Sequence, residues 1–282
     1  SERVMDVTAR NLLADEAIAG VVINARDITE RLKEQAAMLD SEEQFRVASE
    51  IQQHLFPRKA PELDGFDIAG ASKPAAATGG DYFDYLTTSD NQLALAIGDV
   101  SGHGIGPAML MAETRAYLRL LARNRNDLSL ILTRANTMMG EDVGKERFVT
   151  MLLAKLDPEK RTLVHASAGH SPAFVLGPDG EVKSELRRTG MPLGVMPDAQ
   201  YNVSRHMRLA KGDVLVLLTD GLEEATNPEG ELFGTGRILE AVHKSRQLKA
   251  AKIVKSVFEA LENFSGNAEQ LDDLTMIVAK AQ

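Results

Sequence analysis

The most constraining stretch of this chain runs from Leu93 to Ala108, reading Leu-Ala-Leu-Ala-Ile-Gly-Asp-Val-Ser-Gly-His-Gly-Ile-Gly-Pro-Ala. An apolar run of strand length ends in a carboxylate, Asp99. Gly102, Gly104 and Gly106 follow at alternate positions, and a helical pattern comes after them. Such a strand delivers one acid to a tight turn, where glycine tolerates positive φ and lets the backbone come close to a ligand. A phosphate-cradling P-loop is excluded, because that loop ends in Lys followed by Ser or Thr.

The surrounding composition narrows the options. Across 282 residues, 44% are hydrophobic and 26% charged, an ordinary globular mixture. No apolar run reaches the ~18 residues of a membrane span, and no basic start with an apolar core reads as an export signal. The net charge of -9 disfavours nucleic acid as a partner. With no cysteine at all, disulfides, thiolate metal sites and cysteine nucleophiles are excluded, and the count fits a reducing cytoplasm.

From Phe66 onward the pattern predicts short strands at 67–73, 82–87, 92–99, 148–157, 162–168, 173–176, 202–209, 213–219 and 275–280. Turns such as Asp157-Pro-Glu-Lys and Gly177-Pro-Asp-Gly imply antiparallel hairpins. Helices are predicted at 107–122 and 127–139, and again at 236–243 and 250–264. Two groups of strands and two of helices give an α+β fold, a layered α-β-β-α sandwich of two mainly antiparallel sheets with helices outside.

The chain ahead of this domain reads differently. Val4 to Leu13 and Ile18 to Ile28 form one hairpin, and Asn24-Ala-Arg-Asp-Ile-Thr-Glu-Arg resembles the exit of a PAS sensor domain into a signalling helix. Residues 1–29 are therefore expected to be the C-terminal remnant of a PAS-like domain, residues 30–56 a linker helix, and residues 57–282 the main domain. Asp27 with Glu30 suggests a capping box. A continuous helix from there to Pro57 would be about 40 Å long. Its apolar positions suggest self-association around Leu32 to Leu39, with a homodimer through residues 30–56, and packing on the main domain at Ile51, Leu55 and Phe56.

The acids carry the chemistry. Asp81 opens a strand, Asp99 and Asp220 each end one, and Asp272 and Asp273 precede the last. Any one of these is most often a turn residue or a helix cap. Several in one cleft cannot all stay ionised without a cation. All-oxygen ligation selects magnesium or manganese, and a pair of such ions suits phosphoryl chemistry.

Six motifs occur in order: Gly79-Gly-Asp-Tyr-Phe-Asp, Gly98-Asp-Val-Ser-Gly-His-Gly, Ala168-Gly-His-Ser-Pro, Gly190-Met-Pro-Leu-Gly, Leu218-Thr-Asp-Gly-Leu and Asp272-Asp-Leu-Thr. Together, over about residues 45 to 282, they resemble the PPM family of phosphatases, and within it the bacterial SpoIIE-like branch of the phosphatase 2C fold. The resemblance implies a metal-dependent protein serine/threonine phosphatase with two divalent cations, Mn2+ or Mg2+. Asp81 and Asp99 would bridge or flank the two ions, the backbone carbonyl of Val100 would complete one coordination shell, and Asp220 with Asp272 would hold the second ion. Asp272 matches the family's acid better than the adjacent Asp273, the other candidate ligand. It implies attack by a bridging hydroxide without a phosphoenzyme. The implied substrate is a phosphorylated partner protein, a STAS-domain anti-sigma factor antagonist in a partner-switching pathway. Ala75-Ala-Ala stands where eukaryotic relatives place a phosphate-gripping arginine, so phosphate recognition is left open.

The remaining residues have plainer readings. His103 and His170 lie in glycine turns, where hydrogen bonding to the backbone ranks above catalysis. Arg187 and Arg188 read as solvated, with phosphoprotein contact as the alternative. Glu223 and Glu224 are expected to open a helix after Asp220. Two rival functions use the same residues: a catalytically silent dimeric scaffold, and a diguanylate cyclase suggested by Gly79-Gly-Asp-Tyr-Phe, which leaves Asp99, Asp220 and Asp272 unexplained. A regulatory expectation completes the reading, in which dimerisation through residues 30–56 sets the helix after Gly106 and so the geometry at Asp99.

Overall fold

The computed structural model describes residues 3–14, 17–90, 92–102, 104–142 and 147–282. His103 lies outside the described residues, as do positions 15 and 16 of the expected hairpin turn. The chain divides into two compact units, Ser1–Ala48 and Ser49–Gln282.

In the first unit, β1 (Met5–Leu12) and β2 (Gly20–Asp27) pair antiparallel with Met5 opposite Asp27. Helix α1 (Thr29–Gln53) follows and continues into the second unit. Asp27 Oδ1 accepts from the backbone N–H of Thr29 at 3.0 Å and from its hydroxyl at 2.6 Å, which holds the Asp27 carboxyl below its ordinary value. The expected capping box takes another form, since Glu30 pairs with Lys33 at 3.1 Å.

The second unit contains two five-stranded sheets. One has the order β10 (Met207–Arg208), β7 (Thr162–Ala168), β6 (Val149–Asp157), β5 (Leu93–Val100), β4 (Tyr82–Thr87). The other runs β3 (Phe66–Lys73), β12 (Leu274–Ala281), β11 (Val214–Leu218), β8 (Ala173–Leu176), β9 (Val182–Leu186). All the strand pairs are antiparallel.

Strand alternation explains the layers. Leu93, Leu95 and Ile97 of β5 point inward and meet Leu215 and Leu217 of β11 and Ile277 of β12 between the sheets. Ala94 and Ala96 point outward under α2 (Ile105–Asn124) and α3 (Leu128–Asp142). On the far side Val214, Val216 and Leu218 lie under α5 (Gly234–Ser245) and α6 (Ala250–Ser265). With both faces of each central strand covered, nearly every residue is apolar, and the α-β-β-α sandwich expected from sequence is the observed fold.

Some details differ from expectation. The run 202–209 contributes only the two residues of β10, and β9 was not foreseen. Leu55 and Phe56 pack on the core as expected, Phe56 stacking on Phe83 at 5.5 Å, but Ile51 is 61% exposed. Among the described residues no helix is long and apolar enough to cross a membrane.

Candidate metal centre

Each sheet brings acids to the same end of the sandwich. In the first, β4 and β5 pair with Tyr82 opposite Gly98, and one step beyond that pair lie Asp81 and Asp99. In the second, β11 and β12 pair with Leu218 opposite Met276, and the Thr219 N–H donates to the Thr275 carbonyl at 3.0 Å. Asp220, the first residue of the short helix α4 (Asp220–Glu224), therefore stands beside Asp272 and Asp273. Glu223 lies in the first turn of that five-residue helix, as expected, and Glu224 is its last residue.

Hydrogen bonds link the two sheets here, the Asp81 N–H donating to Asp273 at 3.2 Å and the Thr219 hydroxyl to Asp81 at 2.8 Å, and the carboxyl shifts accord with that closeness. Burial and the charge of Asp99 push the Asp81 carboxyl well above its ordinary range. Burial, then Asp220, Asp272 and Asp273, push Asp99 up to about 8. Asp272 is raised by burial and, more weakly, by Asp220, Asp273 and Glu224. Like charges gathered in a partly desolvated cleft disfavour ionisation, and a cation reverses that preference.

Asp272 and Asp273 do different things. Asp273 is buried, and its carboxylate accepts from the backbone N–H of Ala75 at 2.8 Å and of Asp81 at 3.2 Å, so it fastens the loop that leads into β4. Asp272 is exposed, with Oδ1 accepting from the Asp273 N–H at 2.8 Å. A cavity of about 310 Å³ opens beside it, lined in part by Gly221, Glu224, Gln270 and Leu271.

Gly80 keeps the centre open. A Cβ there would lie 2.6 Å from the Val100 carbonyl oxygen and 3.0 Å from Asp99 Oδ1. Only glycine leaves that carbonyl and that carboxylate facing free space. Among the described residues no three His, Asp or Glu side chains already converge as one finished ion cage. The donor set of carboxylates and one carbonyl, half-buried and without nitrogen or sulfur, nonetheless fits a hard divalent cation.

Supporting residues hold the acids in place. The Thr219 hydroxyl donates to Asp81 Oδ2 at 2.8 Å. His170, which burial drives down to about 4, is neutral. Its Nε2 donates to the Leu218 carbonyl at 3.1 Å, and Nδ1 accepts from the Thr150 hydroxyl at 2.9 Å. Thr150 is the ladder partner of Asp99, so His170 ties the two sheets together directly behind the acids. Its expected role as a hydrogen-bonding residue is what the geometry displays. Gln52, buried in the last turn of α1, grips Gly79 from both sides: Nε2 donates to the Gly79 carbonyl at 2.6 Å, and Oε1 accepts from its N–H at 3.0 Å. Of the basic pair, Arg187 pairs with Glu185 and Arg188 donates to the His170 carbonyl at 3.2 Å.

A family model for stage II sporulation protein E (SpoIIE) matches residues 89–282. The chain belongs to the SpoIIE family. Phosphoserine phosphatase RsbU of Bacillus subtilis is 28% identical over 84% of this chain and 70% of its own length. Protein IcfG of Synechocystis sp. is 28% identical over 81% of this chain, which spans only 40% of that protein. Among solved structures, the SiaA-PP2C domain of Pseudomonas aeruginosa superposes with a TM-score of 0.75 at 24% identity, covering 88% of this chain and 99% of that one. The chain thus carries the SpoIIE family domain on a PP2C-type fold.

What this SpoIIE-family sequence did not reveal is mostly neutral and polar. Thr219, Thr150 and Gln52 carry no charge signature; Thr219 stands inside the motif Leu218-Thr-Asp-Gly-Leu beside Asp220, whereas Thr150 and Gln52 lie outside all six motifs. Asp84, the last residue of the first motif, has a role that the motif alone did not reveal. It is buried in β4, accepts from the Tyr82 hydroxyl at 3.0 Å and from Arg119 of α2 at 2.5 and 2.8 Å, and so locks that helix onto the sheet.

Proposed function

We propose that this chain hydrolyses phosphoserine or phosphothreonine on a partner protein, a STAS-domain anti-sigma factor antagonist, with two divalent cations, Mn2+ or Mg2+. The observation that carries the proposal is the space that Gly80 leaves before the Val100 carbonyl and Asp99 Oδ1, with the neighbouring Asp81 tied to the second sheet through Thr219 and Asp273. Asp81, Asp99 and the Val100 carbonyl are assigned to one ion, and Asp220 with Asp272 to the other. Asp273 is left to its loop, because its carboxylate already accepts two backbone N–H groups. Bound there, divalent ions acidify water and neutralise phosphoryl oxygens. The net reaction adds water across the phosphorus–oxygen bond, giving back the serine or threonine hydroxyl and inorganic phosphate. The protein's own residues contribute position. Thr219 orients Asp81, Gln52 and Asp273 hold the loop of Gly79 and Gly80, and neutral His170 braces the sheets and donates no proton to the leaving group.

Regulation is assigned to the preceding segments. Residues 1–29 are read as a PAS remnant, residues 30–56 as a dimerising signalling helix, and residues 57–282 as the phosphatase. Supporting self-association, Leu32, Met38 and Leu39 of α1 are exposed. Supporting control of the site, the end of α1 reaches Gly79 through Gln52, a more direct route to Asp81 than the path through the helix after Gly106.

The test is phosphate release from para-nitrophenyl phosphate and from a phosphorylated STAS-domain protein, with and without manganese. Hydrolysis that depends on manganese and vanishes in Asp220→Asn supports the proposal, and none with either substrate defeats it. Unchanged turnover and manganese affinity after removal of residues 1–44 would defeat the regulatory part alone.

A further inference from the structure

The acid cluster raises a charge problem. Two dications only balance four carboxylates, which leaves the dianionic phosphoryl group of a substrate without a counter-charge. Ala75, Ala76 and Ala77 supply none on one side of the site. Most nearby cations are engaged elsewhere: Arg115 and Arg119 with Asp84, Lys73 with Glu262, and Arg188 with the His170 carbonyl.

Arg147 is different. The β5–β6 ladder pairs Val100 with Val149 and extends one step further, where the Ser101 N–H donates to the Phe148 carbonyl at 3.0 Å and the Phe148 N–H to the Ser101 hydroxyl at 3.1 Å. This clamp sets the root of Arg147 across from Gly102. The Gly102 carbonyl faces the same space in front of Gly80 as Val100 and Asp99 do. From that root the guanidinium lies over Gly106, so close that a Cβ on Gly106 would be 2.0 Å from Nη1. The side chain is exposed, and among the described residues it has no ion pair or hydrogen-bond partner.

We propose that Arg147 binds the phosphoryl oxygens of the substrate at the rim of the centre, in the role that the Ala75 region does not fill. The inference rests on the phosphatase reading above. A guanidinium offers a planar fork of donors that matches two phosphoryl oxygens, and such charge-assisted pairs are among the stronger hydrogen bonds. Gly106 fits the arrangement, because any side chain there would occupy the place of the fork.

The test uses the full chain with manganese and the variants Arg147→Ala and Arg147→Lys. Three quantities are measured: KM for para-nitrophenyl phosphate, the inhibition constant of inorganic phosphate, and calorimetric binding of inorganic phosphate to the manganese-loaded protein, which needs no turnover. Arg147→Ala should weaken all three about tenfold or more, and Arg147→Lys, which keeps the charge without the fork, should fall between. Manganese affinity and melting temperature should stay at wild-type values. Wild-type phosphate affinity in Arg147→Ala overturns the proposal. So does a parallel loss of manganese affinity, which would make it structural. A wild-type chain that binds phosphate through Arg147 yet hydrolyses nothing would instead defeat the phosphatase reading and leave the site standing.

Discussion

Removing the cations should make the protein sensitive to alkali over a range where most domains are indifferent. Asp99 is raised from 3.8 to about 8, chiefly by burial and then by its acidic neighbours. A carboxyl with a folded value above its unfolded one keeps a proton that the unfolded chain has already released. Stability contributed this way is complete below about 3.8 and is lost as pH rises towards 8. At about 1.36 kcal/mol per pH unit, Asp99 alone costs roughly 1.5–2 kcal/mol between pH 6.5 and 8. Asp81, raised in the same direction, adds to it. His170 works in the opposite sense, but only below 6.5. For a domain of this size the loss corresponds to a fall of about 4–8 °C in melting temperature. The assay is thermal unfolding in chelator at pH 6.5, 7.25 and 8, repeated with manganese and with Asp99→Asn. Manganese should abolish the decline, and Asp99→Asn should flatten it without metal. A metal-free melting temperature that stays level or rises over this range would refute the reasoning.

Three further outcomes follow from the same contacts. Gly80→Ala places a methyl 2.6 Å from the Val100 carbonyl, about 0.8 Å too close; manganese affinity should fall more than tenfold by calorimetry, with a stability loss of about 1–3 kcal/mol. Gln52→Ala leaves the buried Gly79 N–H and carbonyl unpaired and should cost about 2–4 kcal/mol in urea unfolding, whereas a change within about 0.5 kcal/mol would show that water replaces the amide. Asp84→Asn strands Arg119 and should cost about 2–3 kcal/mol, at the low end for a broken ion pair because Arg119 reaches solvent, with faster hydrogen exchange confined to α2.

The strands that build the centre were legible because both their faces are buried. β5, β6 and β11 are near-continuous apolar runs that end at Asp, Gly or turn residues, and a carboxylate at such an end is conspicuous. β9 was not legible for the opposite reason. It is an edge strand, Val-Lys-Ser-Glu-Leu, mostly exposed, and its ladder to β8 rather than its side chains makes it a strand. The run from Asn202 to Leu209 has the composition of a strand, yet only Met207 and Arg208 find a partner in β7. Of the adjacent acids, the motif pattern favoured Asp272 over Asp273 without deciding between them, and the backbone N–H groups of Ala75 and Asp81 show that the Asp273 carboxylate is already in use. Gln52 was invisible because a single glutamine late in a polar helix has no chemical signature until Gly79 is folded against it.

The most direct test of the central claim is anomalous diffraction at the manganese edge from crystals of the manganese-loaded chain. The account predicts two peaks, one among Asp81, Asp99 and the Val100 carbonyl, the other against Asp220 and Asp272, with Asp273 still bonded to the N–H groups of Ala75 and Asp81. No peak between the two sheets, or a peak held by Asp273 with Asp272 turned away, would contradict it.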